Sequence, residues 1–96
     1  MTTSEIIDRL MEASPKTFKS RAEAERTVKT FLQLIKDGVE NGDTVYISGF
    51  GIFSRTYRAP RAVVLPNGEQ KVSVPARWVP QFRAKKAFKD QVAKGK

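Results

Sequence analysis

The run from Arg55 to Phe82 constrains the fold most, because it writes a long basic hairpin around the apolar tip Val63-Val64-Leu65-Pro66-Asn67-Gly68. That pattern suggests a wedge carried on a cationic arm. In a chain of 96 residues, an arm of this length leaves few residues to bury, and small cores are marginal unless they are shared or stapled. The chain has neither cysteine nor histidine, so a disulfide, a thiolate zinc site, a cysteine nucleophile and an imidazole base are all excluded. Sharing remains. The expectation is a single domain that forms an obligate homodimer, in which the long helices and sheet bases of two chains pack together and folding and association are one event.

Charge separates the two ends of the chain. Residues 1–53 hold seven Lys or Arg against eight Asp or Glu, whereas residues 54–96 hold eleven against two, so the whole excess of the +8 chain is C-terminal. Such asymmetry favours a polyanion partner, because each neutralised phosphate releases counterions and adds affinity. A solvated face that aids solubility accounts for charge alone equally well. No stretch approaches the roughly 18 consecutive apolar residues of a membrane span, and Met1 to Glu12 lack the basic-then-apolar layout of a secretory signal. A cytosolic location is expected. Asp8 and Glu12, spaced i and i+4, are a conceivable metal pair, but without a third ligand they read as solvated helix charges, and neither enzyme activity nor a metal or cofactor is expected.

The first half predicts two helices. Thr2 or Thr3 can cap the first, Thr2 having Glu5 three residues on at capping-box spacing, and Ile6, Ile7, Leu10 and Met11 then share a face until Ser14-Pro15 stops the helix. Ser20 with Glu23 repeats the capping pattern. The helix that follows, Arg21 to about Asn41, carries an apolar stripe of Ala24, Val28, Phe31, Ile35 and Val39, widened by Leu32 and Leu34, and closes at Gly42. Thr44 to Ser48 then alternates, with Val45 and Ile47 on one face, as a half-buried strand does. Gly49-Phe50-Gly51 permits a sharp reversal, and a second strand from Ile52-Phe53 runs into the arm. By alternation Arg55 and Arg61 share a face of that strand and Arg58 takes the other. Pro60 within the arm is tolerable because a two-stranded ribbon consists only of edges.

These features together resemble the bacterial HU and integration host factor family of DNA-bending proteins, over nearly the whole chain. The resemblance rests on the two-helix start, on Asn41-Gly42-Asp43-Thr44-Val45 leading to Gly49-Phe50-Gly51-Ile52-Phe53, and on the arm with its tip proline. It extends to Val79-Pro80-Gln81-Phe82-Arg83 with Lys86-Ala87-Phe88-Lys89. It implies an α+β fold as an intertwined dimer, with a helical base (about 1–42), a small antiparallel β-sheet saddle and two protruding β-hairpin arms (about 43–82), and a short C-terminal helix (about 83–94). The implied partner is double-stranded DNA at the nucleoid, bound along the minor groove and bent with little sequence preference. A homodimer is expected, and pairing with a paralogue is the open alternative. Pro66 occupies the position of the family's intercalating proline, with Leu65 beside it. An apolar ring between bases costs a few kcal/mol of stacking, offset by the basic surface that bent DNA contacts. The family's usual tip, Arg-Asn-Pro-x-Thr-Gly, is replaced here by Val64-Leu65-Pro66-Asn67-Gly68-Glu69, which also reads as an ordinary hairpin turn.

The expected DNA contacts are Arg55, Arg58, Arg61, Lys71 and Arg77 on the arm, and Arg83, Lys85, Lys86 and Lys89 on the saddle and final helix. Arginine suits the minor groove's negative potential, and the lysines suit flanking phosphates. Arg58, Arg61, Lys86, Lys89 and Arg21 fall on basic positions of the family pattern. Ser48 resembles a serine of the integration host factor branch that approaches phosphate, and equally reads as a strand-end serine bonded to backbone or water. Trp78 either covers the arm's root or stacks near a sugar, and packing is favoured. Three other functions stay open: a site-preferring bender, a basic RNA- or ribosome-associated module, and an interaction protein with an apolar tip.

Overall fold

A computed structural model describes residues 1–64, 68 and 71–95. The fold is α+β, with the order α1 (Thr3–Ala13), α2 (Arg21–Glu40), β1 (Val45–Ile47), β2 (Gly51–Arg58), β3 (Arg61–Val64), β4 (Lys71–Val74), β5 (Arg77–Ala84) and α3 (Lys86–Lys94). Two compact units divide the chain, residues 1–37 and 38–96. Among the described residues, no helix is long and apolar enough to cross a membrane.

In the first unit both capping patterns form. Thr2 Oγ1 accepts from the Glu5 N–H at 3.2 Å, and Ser20 Oγ accepts from the Glu23 N–H at 3.2 Å, satisfying donors that have no partner within the helix. The Glu23 carboxylate reaches back to the Lys19 N–H, one residue earlier than the ideal capping box. Replacing Ser20 with alanine is expected to cost about 1 kcal/mol in denaturant unfolding. Arg21, a candidate for DNA contact, is ion-paired within its own unit. Its Nε lies 2.9 Å from Asp8 Oδ1 and its Nη2 donates to Ser4 Oγ at 2.6 Å, with Glu25 3.7 Å from its Nη1. Asp8 is therefore the acceptor of an ion pair, which bears on any pairing with Glu12. A second exposed pair joins Glu25 to Lys29, whose hydrogen bond and charge, with that of Arg21, hold the Glu25 carboxyl below its ordinary value.

The second unit opens with the end of α2. The Asp43 N–H bonds the Gly38 carbonyl at 2.9 Å and the Gly42 N–H bonds the Val39 carbonyl at 3.0 Å, the paired closure of a Schellman motif. Gly42 has φ +91°, where a side chain would be strained. β1, β2 and β5 form an antiparallel sheet in the order β1-β2-β5. β1 is shorter than the sequence suggests because the Phe50 N–H closes on the Ile47 carbonyl, drawing Ser48 into the turn.

The arm strands also differ from expectation. Alternation predicts one strand that runs from Ile52 through Arg55 to Arg61, but β3 and β4 form a separate two-stranded sheet. Residues 59–60 and 75–76 lie outside both ladders, and each break contains a proline, Pro60 or Pro75, which has no N–H to donate. The alternation that linked Arg55 with Arg61 therefore does not carry across the break. At the other end, Arg83 and Ala84 continue β5 opposite Ile52 and Gly51, so α3 begins at Lys86 rather than near residue 83.

Hydrophobic burial is thin. Among the described residues only Ile7 and Ala24 form a fully buried hydrophobic core, while Phe31, Leu32, Leu34, Phe50 and Phe82 remain 41–65% exposed. Exposed side chains of this size, in this number, leave each unit without the core that its own apolar residues would supply.

Candidate nucleic-acid interface

The β2–β5 register sorts the site into two faces. Directly opposed residues point the same way, and successive residues alternate. One face carries Phe53 opposite Phe82, Arg55 opposite Pro80 and Tyr57 opposite Trp78; the other carries Ile52 opposite Arg83, Ser54 opposite Gln81, Thr56 opposite Val79 and Arg58 opposite Arg77. The first face is aromatic. Phe50 stacks on Phe88 with centroids 5.1 Å apart, and Phe53 meets Phe82 at 4.8 Å. The second is mostly polar, with arginines at both ends and Ile52 and Val79 half-buried among the polar side chains. From Arg83 to Arg77 is six residues of strand, or about 20 Å, along which Thr56 hydrogen-bonds Gln81 and the side chains of Arg58, Arg77 and Arg83 are exposed.

Such a lane suits a polyanion. Each guanidinium presents a planar fork of donors that matches phosphate oxygens two at a time, and it cannot lose its charge at ordinary pH. The uncharged rungs between the arginines offer the hydroxyls of Ser54 and Thr56 and the amide of Gln81, groups that can bond sugar or phosphate oxygens without sequence information. Thr56 and Gln81 were not among the sequence candidates. Counting back by twos from Arg58 would have reached Thr56, and Gln81 is found only once the cross-strand register is known.

The other candidates fall into distinct groups. Arg61 heads β3 opposite Val74, exposed. Lys71 lies in β4 opposite Val64, its side chain outside what is described; Leu65 and Pro66 lie outside the described residues altogether. Lys85 is the N-cap residue of α3, with its ammonium 5.7 Å from the centre of the Tyr46 ring, and Lys86 and Lys89 are exposed on the first turns of the helix. Ser48 is exposed in the turn before Gly49.

Arg55 behaves differently from its neighbours because it lies on the aromatic face. Its guanidinium carbon stands 4.2 Å from the centre of the Trp78 ring, and its Nη1 donates to the Glu40 carbonyl at 3.2 Å. One side chain thus satisfies a carbonyl at the end of α2 and stacks at the arm's root. Trp78 meets Tyr57 edge-on at 5.3 Å and stays 55% exposed, so packing at the root engages part of the indole only.

A model of the family described as bacterial DNA-binding protein matches residues 1–93. Integration host factor subunit beta from Dechloromonas aromatica (strain RCB) is 40% identical over 92 residues, covering 96% of each chain. The same subunit from Vibrio atlanticus (strain LGP32) is 38% identical over 95 residues, covering 99% of each. Among solved structures, Anabaena HU cocrystallised with DNA superposes with a TM-score of 0.85 at 32% identity, covering 98% of this chain and 99% of that one. A variant of HU from Thermotoga maritima, with a TM-score of 0.67 and 24% identity over 96% of this chain and 99% of that one, shares the fold.

Proposed function

The chain belongs to the bacterial DNA-binding protein family, and from that premise we propose that two copies act together as a non-enzymatic architectural protein. The dimer binds duplex DNA along the minor groove and bends or compacts it, with little sequence preference. The polar face of β2–β5, with Arg83 at one end and Arg58 and Arg77 at the other, carries this reading. A lane of fixed cations about 20 Å long contacts phosphates and groove edges, and the aromatic face behind it joins the dimer core. Helices at residues 1–42 form the shared base, residues 43–84 the saddle and arm, and α3 the flank. The place of action is the cytoplasm, at the nucleoid.

Roles divide by chemistry. Arg58, Arg61, Arg77 and Lys71 follow the groove, Arg83 sits on the saddle, and Lys85, Lys86, Lys89 and Ser48 meet phosphates on the flanks. Leu65 and Pro66 supply the wedge. Arg55 and Arg21, which already have partners within the chain, position the arm root and the helix pair. Bending stores elastic energy in the duplex, and the bound surface must exceed that cost; deformable steps are therefore favoured modestly even without base contacts.

The test is cyclisation of a duplex too short to close alone. Wild-type protein is expected to accelerate closure, Pro66→Ala to accelerate it less, and Lys86→Ala to bind more weakly with a flatter salt dependence. If curvature stays unchanged with the wild type, the bending reading fails. The relatives named as a beta subunit favour one further reading, a site-preferring bender paired with a paralogous chain. A steep preference among duplex sequences, seen only with a co-expressed partner, would select it.

A further inference from the structure

We propose that Arg55, Tyr57 and Trp78 form a stacking site for an unpaired base of a DNA strand, on the face of β2–β5 turned away from the arginine lane. Tyr57 and Trp78 are directly opposed across the two strands, and their rings meet edge-on at 5.3 Å. Aromatic pairs in a packed core are largely buried. Here Tyr57 stays 53% and Trp78 55% exposed, so the pair leaves a broad aromatic surface open to a ligand. Arg55 completes it. Its guanidinium carbon lies 4.2 Å from the centre of the indole, and the Glu40 carbonyl takes one of the five N–H donors that a guanidinium offers.

Two other occupants fit the site less well. The phenylalanine end of the same face, where Phe50 stacks on Phe88 and Phe53 meets Phe82, is the part suited to a shared dimer core. The Tyr57–Trp78 rung lies four residues beyond Phe53, about 13 Å along the strand, with the Arg55–Pro80 rung between. A guanidinium, charged at every ordinary pH, marks the edge of such a core rather than its interior. An apolar or proline-rich peptide would use the rings but not the charge, and residues 54–96 hold eleven Lys or Arg against two Asp or Glu. Arg58 and Arg77 stand on the next rung, the last of the ladder. A nucleotide supplies both halves of the match: a flat π-face for the indole and the guanidinium plane, and phosphates for the cations around them. In a duplex those π-faces are stacked on one another and out of reach, so the site selects unpaired bases. One protomer thus has a duplex face and a single-strand face, back to back on the same two strands.

The inference rests on the DNA-binding reading for the identity of the strand. Trp78 is the only tryptophan, so its fluorescence reports the site without a label. Full-length protein is titrated with a short single-stranded oligothymidylate, with the same strand lacking its bases, and with a blunt duplex of equal length. The oligothymidylate is expected to quench the emission to saturation, and the baseless strand and the duplex to leave it nearly unchanged. Tyr57→Ala, which keeps the reporter, is expected to weaken single-strand affinity about tenfold, the scale of one stacked base. Trp78→Leu should do the same when read by anisotropy of a labelled strand, with the blunt-duplex affinity of wild type.

Quenching by the baseless strand equal to that by oligothymidylate would reduce the effect to backbone charge and overturn the proposal. Equal losses on duplex and single strand would return the two rings to the arm's support, and tighter quenching by oligouridylate or by a proline-rich peptide would give the site to another partner; either result overturns it as well. If duplex binds and oligothymidylate does not quench, the site fails and the DNA-binding reading stands. If duplex does not bind and oligothymidylate quenches to saturation, the duplex-bending reading fails and the stacking site stands.

Discussion

A hundredfold dilution is expected to lower the unfolding midpoint of this protein by about 5–10 °C. The figure follows from mass action: a dimer whose chains do not fold alone loses about 2.7 kcal/mol for each hundredfold dilution. In a dimer of this combined length, each kcal/mol moves the midpoint by about 2–4 °C. The structural basis is the exposed side of α2 and of the aromatic face, where Phe31, Leu32, Leu34, Phe50 and Phe82 keep large fractions of their surface uncovered while only Ile7 and Ala24 are fully buried among hydrophobic side chains described. Leu32→Asp should be the more severe version of the same experiment. A carboxylate in a shared apolar seam costs about 3 kcal/mol or more per copy, and the seam contains two copies. The expected product is an unfolded monomer by circular dichroism and sedimentation. A folded monomer with a concentration-independent midpoint would refute the shared core.

Gly51→Ala is the second large effect. A Cβ built on Gly51 collides with the ring of Phe82 and comes within 2.8 Å of the Arg83 carbonyl oxygen. Neither obstacle gives way cheaply, since Phe82 also packs on Phe50, Phe53 and Phe88 and the carbonyl belongs to β5. Overpacking of this kind costs about 1–3 kcal/mol, and a clash with both ring and backbone belongs at the upper end. Both copies of a dimer would carry it. The measurement is equilibrium denaturation at fixed protein concentration, and a variant within about 0.5 kcal/mol of wild type, the scale of a neutral surface change, would show that the sheet relaxes around the methyl group.

Local chemistry was the most legible part of the sequence. Thr2, Ser20 and Gly42 announce helix ends because the groups that they satisfy lie within a few residues, and the structure places its helix ends there. The proline breaks were half legible: Pro60 was readable as an edge residue, but its alignment with Pro75 across the ribbon depends on a pairing that only the register reveals. Arg55 shows the limit most clearly. Composition places it among the arm's cations, whereas its partners, the Glu40 carbonyl and Trp78, lie 15 and 23 residues away along the chain and are brought together by the turn after α2 and by strand pairing. Arg21 is similar, its charge being matched by Asp8 on another helix. A basic residue advertises its charge in sequence but not whether that charge is already spoken for.

The separation of the β3–β4 ribbon from the β1-β2-β5 sheet has an evolutionary consequence. Because no ladder rung spans the two breaks, replacements beyond Arg61 and before Val74 alter what the ribbon touches without removing a hydrogen bond from the body. Selection can therefore rewrite the tip almost independently of folding. Val63, Val64 and Val72, exposed on such a ribbon, are the kind of change that a detachable recognition segment can accumulate while the body stays the same.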